Sequence, residues 1–230
     1  GDQFACAILT NKAVKCWGRG LEGQIGNAGN LSTNVPLSVT GLLNVQSIAL
    51  GNAHGCALLG DATVQCWGLN DYGQLGNATT ANTNTPVQVV GIGNASSLSS
   101  GNKTNCVALV TGSVKCWGYN NAGQLGNGTI VDNSSPVDVS GVNSAAMVSV
   151  GAMTSCALLT DNQLRCWGRR TFGTLADGSV TGLVAQSGCQ WHTPDRIDSG
   201  NQMWCSYWGG TSFYQDTWST TPAIGLNFAT

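Results

Sequence analysis

The chain has 230 residues, only 9% of them charged, and a formal net charge of −2, against about 25% charged in an ordinary soluble domain. Nine scattered Lys and Arg exclude the concentrated basic face that nucleic acid demands, and no run of 18 apolar residues occurs, which excludes a membrane-spanning helix. Glu22 is the only glutamate, so the surface must be wetted by Asn, Ser, Thr and Gln or be covered by partners or sugars. The chain begins at Gly1 with no initiator methionine and no visible signal peptide, as expected of a processed or internal segment.

From the N-terminus, "CAILTNKAVKC" predicts a β-hairpin. Cys6 and Ile8 alternate with small or polar neighbours, a turn centres near Asn11, and Val14 and Cys16 alternate again. This register sets Cys6 opposite Cys16 and Ile8 opposite Val14, within disulfide reach. "CWGRGLEGQIGN" follows from Cys16, and nearly the same words return every 50 residues: "CWGLNDYGQLGN" from Cys66, "CWGYNNAGQLGN" from Cys116 and a decayed "CWGRRTFGTLAD" from Cys166. The matching hairpins set Leu58 opposite Val64, Ala108 opposite Val114 and Leu158 opposite Leu164. Units therefore run 1–50, 51–100, 101–150 and 151–178, the last with an irregular tail. Each has three or four short strand-like runs split by Gly, Asn and Pro turns, and no sustained 3.6-residue period, so helix is expected to be nearly absent. Short strands repeated at this interval mean propeller blades or solenoid coils.

Eight of the ten cysteines form four C-x9-C pairs in phase with the repeat. Zinc sites use closer pairs, often with histidine, and only His54 and His192 exist. Free buried thiols in a cytosolic protein are the alternative. The preferred reading is disulfides: Cys6–Cys16, Cys56–Cys66, Cys106–Cys116 and Cys156–Cys166, with the remaining Cys189 and Cys205 pairing together. Disulfides persist in oxidising compartments, so an extracellular or cell-surface protein is expected. Asn30, Asn77, Asn94, Asn102, Asn127 and Asn133 begin N-x-S/T sequons and are candidate glycosylation sites, although an Asn-, Ser- and Thr-rich chain also generates sequons by chance.

"GNAHGCALLGDATVQCWGLNDYGQLGN", residues 51 to 77, closely resembles the repeat of the regulator-of-chromosome-condensation family, including His54, Trp67, Asn70 and Gly73 to Gly76. Residues 101 to 127 match with Thr104 in place of the histidine, and residues 1 to 27 with Gly20 in place of the asparagine. The resemblance covers about 180 residues and implies four-stranded blades around a central axis, usually seven. It also implies that Trp17, Trp67, Trp117 and Trp167 are structural wedges between blades, each indole N–H tied to a backbone carbonyl. Gly18, Gly68, Gly118 and Gly168 would turn the backbone where no side chain fits, and the G-Q-L-G stretch would bend tightly with Leu75 or Leu125 buried. The paired cysteines depart from the common family motif. Four good units also fall short of the usual ring, so the array must be a piece of a longer chain, a smaller ring, or an assembly completed by neighbours.

From Gly178 the period fails, and residues 179–230 are expected to form a divergent unit packed on the repeats. Trp191, Trp204, Tyr207, Trp208, Phe213, Tyr214 and Trp218 make this the densest aromatic stretch. It reads as a terminal cap or as a patch that meets a partner protein or a glycan. The fold expected is all-β: a β-propeller-type array of four recognisable blades plus a divergent C-terminal unit. With two histidines and one glutamate, acid–base chemistry has few candidates, and no metal or cofactor site is expected. The function expected is a non-enzymatic extracellular structural or binding module, in a surface or filament-like assembly or an adhesin. A secreted inhibitor or receptor domain is the alternative, and an exchange factor for a small GTPase the remote one. Its partners would be proteins, through self-assembly or further blades of the same chain.

Overall fold

The computed structural model describes residues 1–169, Leu175 and the strand backbone of 183–188. Fifteen strands occur among these residues, and no helix. They are β1 (Phe4–Ile8), β2 (Val14–Gly18), β3 (Thr33–Ser38), β4 (Val45–Leu50), β5 (His54–Leu59), β6 (Val64–Gly68), β7 (Thr83–Gln88) and β8 (Ala95–Ser100). There follow β9 (Thr104–Leu109), β10 (Val114–Gly118), β11 (Asn133–Asp138), β12 (Ala145–Val150), β13 (Thr154–Leu159), β14 (Leu164–Arg169) and β15 (Leu183–Gly188). They build four antiparallel sheets, ordered β1-β2-β3, β4-β5-β6-β7, β8-β9-β10-β11 and β12-β13-β14-β15. These are the blades of a β-propeller.

Hairpin registers agree with the alternation in the sequence. Ile8 faces Val14, Leu58 faces Val64, Ala108 faces Val114 and Leu158 faces Leu164. The cysteines are directly opposed in each hairpin and joined as cystines, with Cα atoms 4.0 to 4.1 Å apart. Blades and sequence units do not share a start. The strand that closes one unit, such as Val45–Leu50, becomes the inner strand of the next blade. Consecutive units are thereby interlocked, and the inner strands β4, β8 and β12 are neighbours along the array.

The core lies between blades. One slab joins Phe4, Val14, Cys16, Ile25 and Val39 of the first blade to Val45, Ala57, Leu59 and Trp67 of the second. Equivalent slabs fill the next two junctions, around Trp117 and Trp167. A strand between two neighbours is covered on both faces, which is why β5 and β9 are buried at every residue. At the ends of the array β1 and β13 are only partly buried.

Candidate functional site

The blade junctions hold most of the polar groups that are buried. A Trp-Gly step ends β2, β6 and β10 and stands one residue before the end of β14, and Gly68 adopts φ of 105°, left-handed backbone that favours glycine. The tryptophan beside it inserts into the preceding blade's loop. Trp67 Nε1 donates to the Gln24 carbonyl at 2.9 Å, Trp117 Nε1 to Gln74 at 3.0 Å and Trp167 Nε1 to Gln124 at 2.9 Å. All three indoles are fully buried. At two junctions a second donor joins the same carbonyl: Asn105 Nδ2 reaches Gln74 O at 2.7 Å and Ser155 Oγ reaches Gln124 O at 2.9 Å. Trp17 departs from the other three. It is half-buried, and its indole N–H has no partner among the described residues.

The G-Q-L-G loops are shaped by a single asparagine each. Asn70 Oδ1 accepts from Leu75 N at 2.8 Å, while its Nδ2 donates to the carbonyls of Thr79 and Ala81, each at 3.0 Å. Asn120 repeats this with Leu125, Thr129 and Val131. Leu75, Leu125 and Leu175 are fully buried. In the first unit Gly20 replaces the asparagine, and its N–H is held instead by Ser32 Oγ at 3.2 Å.

His54 is buried in the second junction, with Nε2 2.9 Å from Asn105 Oδ1. Since that oxygen is an acceptor, Nε2 carries the hydrogen, and Nδ1 is left buried without a partner among the described residues. Burial holds the imidazole neutral by pulling its pKa down to about 4. Asn105 thus bridges two blades, by accepting from His54 and donating to the Gln74 carbonyl. The sequence signal for this role was the polar residue at positions 105 and 155, where the first two units have Ala5 and Gly55. Nothing in its spacing distinguished it from an ordinary strand residue.

On the end of the array that carries these loops, side chains from adjacent blades meet. The Tyr72 and Tyr119 rings are 4.7 Å apart at 69°, edge to face, and Lys103 Nζ stands 4.2 Å above Tyr72 and 6.0 Å from Tyr119. On the same end Arg19 pairs with Glu22 at 2.6 Å. Among the described residues no group of three His, Cys, Asp or Glu is placed to hold a metal.

The sequon asparagines differ in their surroundings. Asn94 and Asn102 are exposed, and their side chains have no partner among the described residues. Asn77 and Asn127 have Oδ1 tied to Thr79 Oγ1 and Thr129 Oγ1, each at 2.9 Å. Asn133 Oδ1 accepts from Ser135 N at 3.0 Å, and Asn30 Oδ1 from Asn84 Nδ2 at 2.8 Å. Trp191, Trp204, Tyr207, Trp208, Phe213, Tyr214, Trp218 and the expected Cys189–Cys205 pair lie outside the described residues.

Comparison with known proteins agrees with this geometry. The model of the regulator of chromosome condensation (RCC1) repeat matches residues 14–58, 61–108 and 111–158, more than half of the chain. A second model of the same repeat matches 1–24, 45–74, 95–124 and 148–174. Among curated proteins, none matches the chain in sequence. Among solved structures, Prp20p from Saccharomyces cerevisiae superposes with a TM-score of 0.73 at 21% identity, over 83% of this chain and 49% of that one. Human WBSCR16 gives 0.73 at 22% identity, over 83% and 52%. Yeast RCC1 (Prp20) in its complex with Kap60 gives 0.66 at 22% identity, over 75% and 43%. At these identities the likeness shows the fold. The chain spans about half the length of these relatives.

Proposed function

The chain belongs to the regulator of chromosome condensation (RCC1) repeat family, and on that premise we propose that it is a non-enzymatic protein-binding module of an extracellular or cell-surface assembly. The observation that carries this reading is the cystine in every blade. Cys56, Cys66, Cys106 and Cys116 are fully buried at the junctions, and each small loop closed by a cystine contributes roughly 3 kcal/mol on the chain-entropy model. Cross-links of this kind persist where the surroundings are oxidising. Protein binding is further supported by the likeness to Prp20, whose structures concern a complex with Kap60 and binding to Gsp1p and histones. The low charge favours durability over chemistry.

The alternative, a secreted inhibitor or receptor domain, is favoured by the Tyr72–Lys103–Tyr119 cluster. Tyrosines on a loop end are the side chains that anchor protein interfaces. No residue of an exchange-factor site is carried over from the family. Mass spectrometry tests the compartment: intact mass before and after reduction under denaturing conditions is expected to differ by ten hydrogens, from ten cysteines in five cystines. Ten thiols open to alkylation in protein from its native source would overturn the extracellular reading.

A further inference from the structure

We infer that Asn94, in the turn between β7 and β8, carries an N-linked glycan, and that the fold holds its amide open for one. The inference rests on the extracellular reading above, because only a chain that enters a secretory compartment meets the sugar donor. Asn94-Ala95-Ser96 is one of the chain's sequons, and the structure sets it apart from the rest.

The amide of Asn94 is free because Val110 faces it. At the equivalent turn of the second blade Gly60 N donates to Asn44 O at 2.9 Å, and the Asn44 side chain lies over that glycine. A Cβ on Gly60 would stand 2.1 Å from Asn44 Nδ2. In the third blade Val110 N donates to Asn94 O at 2.9 Å, and valine brings the Cβ that Gly60 lacks. The place that Asn44 occupies is therefore closed to Asn94, whose side chain is exposed with no partner among the described residues. Gly91 and Gly93 precede it, and a Cβ added to either would meet no described atom within 4 Å. The turn opens on free space.

The other sequons are placed differently. Asn77, Asn127 and Asn133 are half-buried, and their Oδ1 atoms are held by Thr79, Thr129 and Ser135. Asn30 is bonded to Asn84 across the first junction. Asn102 follows Gly101, where neighbouring blades pack so closely that a Cβ would stand 1.9 Å from Gly151 O. Beside Asn94, in contrast, Val110 is 75% exposed and Val90 is exposed as well. On a surface this poor in charge, a glycan rooted there covers apolar area and solubilises the turn.

The donor is a lipid-linked oligosaccharide diphosphate. Asn94 Nδ2 attacks C1 of its first sugar, the N–C1 bond forms as the C1–O bond breaks, the lipid diphosphate leaves with the bonding pair, and the amide gives up one proton. Transfer precedes folding of the third blade. In the folded chain Ala95 is buried, Ala95 N donates to Ala62 O at 3.0 Å, and Ser96 Oγ donates to Ala108 O at 3.1 Å. The backbone and hydroxyl of the sequon are then engaged beside the β8–β9 ladder. The fold acts afterwards, by giving the attached sugar room.

Protein from its native source provides the test. Removing N-glycans with a glycan amidase in 18O water turns each carrying asparagine into labelled aspartate, and peptide mapping is expected to find the label at position 94. Cystine content is read from the same sample. A bare Asn94 beside intact cystines overturns the glycan and leaves the extracellular reading standing, while a bare Asn94 with free thiols overturns both. In chain secreted from eukaryotic cells, Ser96→Thr is expected to keep the glycan, and Ser96→Ala and Asn94→Gln each to lose it. A Ser96→Ala chain still modified at Asn94 would overturn the sequon as its cause. Offered transferase and lipid-linked oligosaccharide, the reduced, unfolded chain is expected to accept sugar at Asn94 and the folded chain to refuse it. Equal acceptance by both would overturn the order of transfer and folding.

Discussion

Trp17, Trp67, Trp117 and Trp167 hold one place in four units, and their surroundings set what each contributes. Trp67 is fully buried and bonded to Gln24 O, so Trp67→Ala is expected to cost about 3 to 5 kcal/mol. Trp17→Ala, at a half-buried site with no indole partner among the described residues, is expected to cost roughly half of that. Equal losses in urea melts of the two variants would contradict the junction geometry. His54 makes a second prediction at this scale. The unfolded chain takes a proton near pH 6.5, the folded chain not until about 4, because burial disfavours the imidazolium. Between those values the unfolded state binds more protons, so stability falls as pH drops through the window and levels off below it. The loss amounts to about 3 kcal/mol. His54→Thr, the residue that Thr104 and Thr154 supply at the same place, is expected to lose this component. Urea melts of both proteins at pH 7 and pH 4 check it, and identical pH dependence would rule out the buried neutral imidazole.

Hairpins were the most legible elements, because a two-residue alternation and a fixed cysteine spacing leave only one register in which all four pairs face each other. Blade boundaries were not legible. The hydrophobic pattern of Val45–Leu50 fits either sheet, and only the pairing of Val45 with Leu59 assigns it to the second blade. The wedge role of Trp67 was legible through its motif, whereas the exposure of Trp17 depends on a neighbour that no local pattern encodes. Asn105 was missed for a related reason: its partners His54 and Gln74 lie far away in sequence, in the adjacent blade. The cystines, alike in sequence, differ in their cover. Cys56–Cys66 and Cys106–Cys116 are fully buried between blades, while Cys6 and Cys156 at the array ends are partly exposed. Thiolate attack needs access to a sulfur. Brief treatment of native protein with dithiothreitol, followed by alkylation and peptide mapping, is expected to label Cys6, Cys16, Cys156 and Cys166 before Cys56, Cys66, Cys106 and Cys116. Labelling of Cys56 or Cys106 first would mean that the junctions open more readily than the ends.

Over the whole molecule, stability resides in junctions rather than in blades. Each blade is a thin sheet whose apolar faces are covered by its neighbours, so an array of this kind behaves as a sum of units and nearest-neighbour interfaces. Among the described residues the second and third blades have an interface on both faces, and the first has one, on the side of Ala57, Leu59 and Trp67. Backbone amides exchange with solvent by the least costly opening that frees them, and an end blade opens by breaking one interface where a middle blade must break two. Phe4–Ile8 and Val14–Gly18 are therefore expected to exchange fastest among the equivalent hairpin strands, and β5 and β9, buried along their whole length, slowest. The cystine in the first hairpin does not remove the difference, since it ties two strands of one blade and crosses no junction. Hydrogen–deuterium exchange followed by mass spectrometry of the intact-disulfide protein resolves the four hairpins separately. Uniform protection from β1 through β13 would mean that the array opens as a single cooperative unit, and the junction-by-junction account of its stability would have to be abandoned.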